Sequence, residues 1–398
     1  MIDLRSTAFL TDPVSALARL RADGPVARMR LPLIGPVWMT TTDAAARALL
    51  KDDARFVRDS RGATGKSLAQ SFWWMPRRIA PLLQTMILKD GDDHARLRRL
   101  VSAAFARTAM DDLRPAIAAR AEVLLDRIDP ARPIDLVPHY TRPLPFEVIC
   151  ELLGLSEAAR PALRRGLAPL SGATGAPQML IALLRMGGVM RLIRAQLADV
   201  RLHPRAGLMS DLVAARDGGD RLSEEELLAM VMMLFVAGHE TTVHLINDCL
   251  LTLMHRPELR ASLSDPARMA TFVEEAMRFW SPVMMTKLHF VRETCDFQGV
   301  RLTKGDKITA FLLAANHDPD RIEAPEHFDP TRLPNPHLGF GFGPHVCLGL
   351  QLARAEVAEA LRVLLTRYPD VVLDGPPPRW LRRVGLRGPE ALRVRLRP

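Results

Sequence analysis

Aromatic residues are scarce in this 398-residue chain, at 5%, and the scarcity argues against a nucleic-acid surface. Base stacking needs aromatic side chains interleaved with a basic patch, whereas the arginines here are scattered through helical patterns. Cysteine is equally sparse: Cys150, Cys249, Cys295 and Cys347 lie far apart with no C-x-x-C pair. That spacing argues against a disulfide framework or a zinc ribbon and fits a reducing cytoplasm. No uninterrupted apolar run reaches the ~20 residues of a membrane span. The longest, residues 227–238, runs on into His239 and Glu240 and reads as a buried core helix. The opening Met-Ile-Asp-Leu-Arg-Ser lacks the basic flank and apolar core of a secretory signal. Internal repeats, low-complexity tracts and linker-like stretches are missing too. One integrated domain over residues 1–398 is therefore expected, soluble, cytoplasmic and without a membrane anchor. Acidic residues are outnumbered, 45 against 54 Lys and Arg, leaving a net charge of +9 that favours acidic partners.

What is present is a chain with 48% hydrophobic residues, enough to bury a large core. Most of the first 285 residues repeat leucine, alanine and arginine at spacings of three and four, the period of amphipathic helices, with proline and glycine as punctuation. Short β-like stretches occur near residues 26–41, at 287–308 and in the last ten residues. The fold class is mainly α with a minor β-sheet region. Residues 319–344 turn rich in Pro, Asp, Phe and Gly with no helical period, a long irregular segment of the kind that carries function.

Ser223 followed three residues later by Glu226 is a capping box that opens an apolar stretch running to about His255. As one helix it would be on the order of 48 Å long and would cross the middle of the core. Its centre reads Ala237-Gly238-His239-Glu240-Thr241-Thr242, a costly place to bury an acid and two hydroxyls. His239, Glu240 and His244 suggest a zinc protease, but the histidines are five apart, about 140° around the helix, where that chemistry needs them four apart. The plainer reading of Thr241 is a hydroxyl bonded back to the Ala237 carbonyl. The alternative is a distortion at Gly238 that opens the helix to a ligand, with Glu240 feeding protons.

Phe340-Gly341-Phe342-Gly343-Pro344-His345-Val346-Cys347-Leu348-Gly349 leads into a helix beginning near Leu350. A cysteine just before a helix N-terminus in a glycine-rich loop has its thiolate favoured by backbone N–H groups and the helix dipole. No second cysteine lies at zinc-ligand spacing, so a metal that takes one thiolate and brings its other ligands is preferred, and haem is such a cofactor.

Together these segments resemble the cytochrome P450 superfamily, soluble bacterial type. Phe340 to Gly349 is similar to its haem-binding signature, Ala237 to Thr242 to its oxygen-activating helix, and Glu275-Ala276-Met277-Arg278 to its Glu-x-x-Arg motif. The resemblance implies haem b, iron protoporphyrin IX, ligated by Cys347, with Phe340, Gly349 and Ala237 against the cofactor. It implies oxygen activation at Gly238, Glu240 and Thr241, and a structural trio of Glu275, Arg278 and Arg332. His94 and Arg98, four apart on one helix face, resemble a propionate clamp; His345 matches the family's basic position, and His289 is a further propionate candidate with Arg292 as its rival. Substrate-facing positions would be Phe72, Trp73, Trp74, Met75, Leu234, Val283, Met284 and Met285, all apolar, with Arg77 or Arg78 as possible carboxylate contacts. The implied activity is monooxygenation of a hydrophobic organic molecule by a monomer, using O2 and electrons from NAD(P)H through a reductase and a ferredoxin docking near Arg96 and Arg99. A haem-binding sensor would have no use for Glu240 and Thr241, and an enzyme using peroxide or catalysing rearrangement fits that pattern less well.

Overall fold

Both reciprocal bonds of the capping box form: Glu226 N–H donates to Ser223 Oγ at 3.2 Å, and Ser223 N–H to Glu226 Oε2 at 2.8 Å. From this cap the central helix runs through the protein core, its first half Glu224–Gly238 and its second half Glu240–His255. The computed structural model describes residues 2–32, 34–67, 70, 83–106, 110–171, 176–217 and 220–397. Residues 224–255 are long and apolar enough to span a membrane, yet 67% of their apolar window is buried inside the molecule. The long helices Met110–Leu125 and Leu350–Arg367 pack on each other, and the second also packs on the central helix.

The central helix is not the single rod expected from its apolar run. It breaks at His239, where φ is −87° and ψ −71°. The cause is local competition: Thr241 Oγ1 donates to Ala237 O at 2.6 Å and Thr242 Oγ1 to Gly238 O at 3.0 Å. Those carbonyls thus meet hydroxyls where an unbroken helix would give them backbone N–H groups, a known source of helix bending. His239 closes the gap by pairing its Nε2 with the Arg142 carbonyl at 3.0 Å.

A five-stranded sheet lies beside the helical part in the order Val26–Leu31, Gly35–Thr40, Lys307–Thr309, His289–Val291, Phe56–Val57. All pairings are antiparallel except that of Lys307–Thr309 with Gly35–Thr40. Phe56 pairs with Val291 and Val57 with Phe290, so the residue after Val57, Arg58, comes beside His289. A three-stranded sheet joins Val372–Leu373, Arg393–Arg395 and Ile134–Asp135. One cluster of buried apolar side chains runs from Leu4 to Leu396 and ties both ends of the chain into the same core.

Candidate active site

The Glu-x-x-Arg helix, Pro266–Trp280, supports the irregular segment from inside. Glu275 and Arg278 have no accessible surface and meet through two bonds, Arg278 Nη2 to Glu275 Oε1 at 2.7 Å and Nε to Oε2 at 2.8 Å. Arg278 donates its remaining hydrogens to the carbonyls of Asn316, Pro325 and His327. Glu275 also accepts from Asp329 N–H, Arg332 Nε and Asn335 Nδ2. A buried ion pair stabilises only when its remaining hydrogen-bonding capacity is met, and here the backbone of the irregular segment meets it. Glu274 was overlooked in the sequence. It accepts from Arg354 Nε and Nη2 at 2.6 and 2.8 Å and pairs with His337 Nε2 at 3.1 Å, and Arg354 in turn lies 4.8 Å from the Phe340 ring centre.

These braces hold the cysteine loop. Cys347 N–H donates to Phe340 O at 2.8 Å, and Arg98 Nη1 donates to Val346 O at 2.9 Å. Gly343 has φ +72°, and a Cβ there would lie 2.4 Å from the Leu50 carbonyl oxygen, so only glycine fits. A Cβ on Gly349 would meet nothing within 4 Å, which leaves open space over the loop. Burial pushes the Cys347 thiol up, while the Gly349 N–H, Arg98 and Arg354 pull it down. The helix-terminal donor pulls in the direction expected from the sequence, and burial outweighs it. An ionised sulfur here needs positive charge placed on it directly.

Beside the loop the fold gathers Arg58, His94, Arg98, His289 and His345. The His94 and His345 rings lie 3.9 Å apart between centres, and Arg58 Nε donates to His289 Nε2 at 3.3 Å. Among the described residues His94 Nε2 and His289 Nδ1, both buried, have no hydrogen-bond partner. Burial, then the neighbouring cations, pushes His345 down to about 2 and His289 to about 3. A positively charged pocket with orphaned ring nitrogens next to a thiol is the donor set that a doubly carboxylated metal macrocycle requires. The residues present fit haem. Arg58, which has no spacing relation to any motif, escaped detection in the sequence; its only signal is the short β-like Phe56-Val57 before it. Arg292 is exposed and does not join the group; its backbone N–H donates to Arg55 O.

On the central helix Val236 is 50% exposed although it sits mid-chain in a core element. Ala237 is exposed as well, and Thr241 is partly accessible, so this stretch borders open space. A Cβ on Gly238 would make only an ordinary 3.8 Å contact with Ile149. Glu240 is buried, 3.4 Å from Arg142 Nε, 3.6 Å from His239 Nδ1 and 3.9 Å from His244 Nε2. Glu356, also unforeseen, latches the break from the other side. Burial pushes its carboxyl up, and it hydrogen bonds to Thr242.

Among the other expected positions, Leu234 is buried near the accessible face, Val283 is partly accessible, and Met285 is nearly enclosed. Met284 has no accessible surface and backs the wall rather than forming it. Phe72, Trp73, Trp74, Met75, Arg77 and Arg78 lie outside the described residues. Of the two residues expected near a docked ferredoxin, Arg96 pairs its Nη2 with Glu226 of the capping box, and Arg99 is engaged too. Helix geometry set these residues apart from the clamp face but could not reveal partners far away in sequence.

The family model for cytochrome P450 matches residues 186–265 and 269–382. The polyketide biosynthesis cytochrome P450 PksS of Bacillus subtilis is 36% identical over 397 residues, covering 98% of this chain and 96% of its own. The chain belongs to the cytochrome P450 family. The vitamin D(3) 25-hydroxylase of Pseudonocardia autotrophica is 37% identical, with 93% and 90% of the two chains covered. The solved structure of Bacillus subtilis PksS superposes with a TM-score of 0.90 at 34% identity over the whole of both chains. That of the myxobacterial cytochrome P450 CYP267B1 with myristic acid also scores 0.90, at 35% identity over 99% of each. This P450 is accordingly an oxidoreductase, a haem-dependent monooxygenase of bacterial type.

Proposed function

We propose that this P450 inserts one atom of O2 into a hydrophobic organic substrate, with Cys347 ligating the haem iron and Thr241 and Glu240 governing proton delivery. The supporting observation is the break at His239, which borders open space with Thr241 while Glu240 stays buried among Arg142, His239 and His244. Arg98, His94, His289, His345 and Arg58 would hold the propionates, and Phe340, Gly349 and Ala237 would flank the macrocycle. When bound, the haem supplies the oxygen and electron chemistry.

The chain's own part is orientation and proton traffic. Thr241 commits its hydrogen to the Ala237 carbonyl, so its lone pairs are turned outward to accept a hydrogen bond from water in the cavity. Glu240 is an ionisable group one residue away, and water linking it to that site would carry the protons that O–O cleavage consumes. Accessible Val236 and Ala237 favour apolar contact. Relatives named for vitamin D(3), polyketide biosynthesis and mycinamicin suit a bulky hydrophobic substrate. Electrons would come from NAD(P)H through a separate reductase and an acidic ferredoxin, in keeping with a net charge of +9. We place the reaction in the cytoplasm, where its free cysteines stay reduced.

The test is the reduced carbon monoxide difference spectrum. The wild type is expected to give a thiolate-type Soret band and Cys347→Ser to lose it; a band unchanged by the substitution would remove Cys347 from the iron. With substrate present, Thr241→Ala should divert electrons to peroxide and lower product per NAD(P)H by roughly tenfold or more. Unchanged coupling would refute its role.

A further inference from the structure

Behind Glu240 the second half of the central helix turns a polar face into the core. His244 and Asp248 follow Glu240 at intervals of four, so the three share one side of the helix, with Asn247 alongside. His244 Nε2 lies 3.9 Å from Glu240 Oε2. The other ring nitrogen meets the C-terminal loop, because a Cβ on Gly388 would lie 2.2 Å from His244 Nδ1. One turn beyond Asp248, Thr252 Oγ1 accepts from Trp280 Nε1 at 2.8 Å, and the Arg387 guanidinium lies over that same Trp280 ring, 4.8 Å from its centre. Arg387 and Gly388 thus border this face on both sides of Asp248, which lies between them on the inner side of the helix. Arg387 itself donates to the carbonyls of Leu10, Thr11 and Trp280.

Asn247 and Asp248 have no accessible surface and His244 almost none. Yet among the described residues none of their six side-chain nitrogen and oxygen atoms has a hydrogen-bond partner. A buried polar group left unsatisfied costs ~1–3 kcal/mol, and three such side chains together would take a large share of a fold's margin of ~5–15 kcal/mol. Water is the ligand that meets a carboxyl, an amide and an imidazole at once. We propose that these side chains hold a file of internal water that joins Asp248 and His244 to Glu240 and serves as a proton store for the oxygen site. Burial pushes the Asp248 carboxyl well up, the direction that keeps a proton on it. On demand the Asp248 O–H bond breaks and its proton passes through water to His244 Nδ1, while the Nε2–H bond breaks and that proton reaches the Glu240 carboxylate. Solvent protons arriving beside Arg142, which is partly accessible and 3.4 Å from Glu240, refill the store by the reverse route. The inference rests on the proton-delivering role proposed above for Glu240 and gives that acid a reserve.

The experiment is infrared spectroscopy of the holoenzyme, without substrate, on transfer from H2O into D2O. The wild type is expected to show a protonated-carboxyl C=O band that Asp248→Asn lacks, and the band should shift in D2O before the amide protons of the core helices exchange. His244→Leu and Glu240→Gln should each slow that shift by about tenfold or more, because each interrupts the route. No band lost in Asp248→Asn, a shift no faster than core amide exchange, or an unchanged rate in either His244→Leu or Glu240→Gln overturns the proposal. Should His244→Leu not fold, His244→Asn, which fills the place but has no second ring nitrogen to pass a proton on, carries the same comparison. The carbon monoxide spectrum and the coupling of Thr241→Ala judge the monooxygenase reading by themselves, so failure of that reading and failure of the store are told apart.

Discussion

Arg58 shows how a single side chain can complete a site that motifs only outline. Its guanidinium is 4% exposed, and burial pulls it down to about 10. It donates to the Ile87 carbonyl and to a neutral imidazole, while Asp90 accepts from the backbone N–H groups of Arg58 and Asp59. The cation is thus placed for another carboxylate. Arg58→Gln is expected to speed haem loss by about tenfold or more, the weight of one charge-assisted bond of ~1.5–3 kcal/mol, and Arg58→Lys by less. Haem transfer to apomyoglobin measures both, and an unchanged rate in Arg58→Gln would exclude it from the cofactor. At this scale the sequence was legible where chemistry imposes spacing: Cys347 within its loop, Thr241 beside Glu240, and His94 four residues before Arg98. Arg58 and Glu356 were not, because strand pairing and helix packing bring them to the site from segments with no fixed offset to any motif. The ion pair of Arg96 was hidden for the same reason, its partner Glu226 lying far along the chain.

Among the elements, the Glu-x-x-Arg helix and the broken central helix bear differently on stability. Glu275→Gln would leave the Arg278 guanidinium, with no accessible surface, lacking its anion and would weaken the ties to Asp329, Arg332 and Asn335. Removing one partner of a buried pair costs ~3–5 kcal/mol. The variant should melt far below the wild type by circular dichroism and lose the cysteine-loop geometry with it; a melting point close to wild type would mean the irregular segment is held by something else. The central helix tests packing instead. A Cβ on Gly388 would lie 2.2 Å from His244 Nδ1, so Gly388→Ala must displace that ring from its place beside Glu240. Coupling of electrons to product is expected to fall in Gly388→Ala, and unchanged coupling would separate His244 from proton delivery. The capping box and the helical character of this region were plain in the sequence, and a distortion at Gly238 stood there as one of two readings, but that it interrupts the helix at His239 was not. Apolar periodicity describes the faces of a helix, whereas the break arises from two hydroxyls competing for carbonyls at a glycine.

Across the whole molecule, buried neutral histidines set the response to acid. His317 is 2% exposed, with Nδ1 3.0 Å from the Leu313 carbonyl, and burial, then Arg278, pushes it down to about 3. His244 is pushed to about 4, by burial first, against the upward pull of Glu240, with Arg142, Arg383 and His239 acting in the same direction as burial. Each folded-state value lies below the unfolded value of about 6.5. Between the two the unfolded chain binds more protons, so stability rises with pH there. The contribution is fully present above about pH 6.5 and is lost as pH falls toward about 3 to 4, each histidine giving up about 1.4 kcal/mol for every pH step of one across that window. Glu274 acts in a lower window: burial pushes it up, but His337 and Arg354 more than offset this and bring it to about 2, so its share is lost only below its unfolded value near 4.5. Thermal melting should therefore decline from about pH 6.5 downward, before carboxylates of ordinary affinity titrate. His317→Gln keeps a donor for the Leu313 carbonyl and removes the titration. It is expected to melt somewhat lower at neutral pH yet show a shallower decline between about pH 6.5 and 4, and a slope equal to that of the wild type would mean that His317 is not among the groups that destabilise the fold in acid.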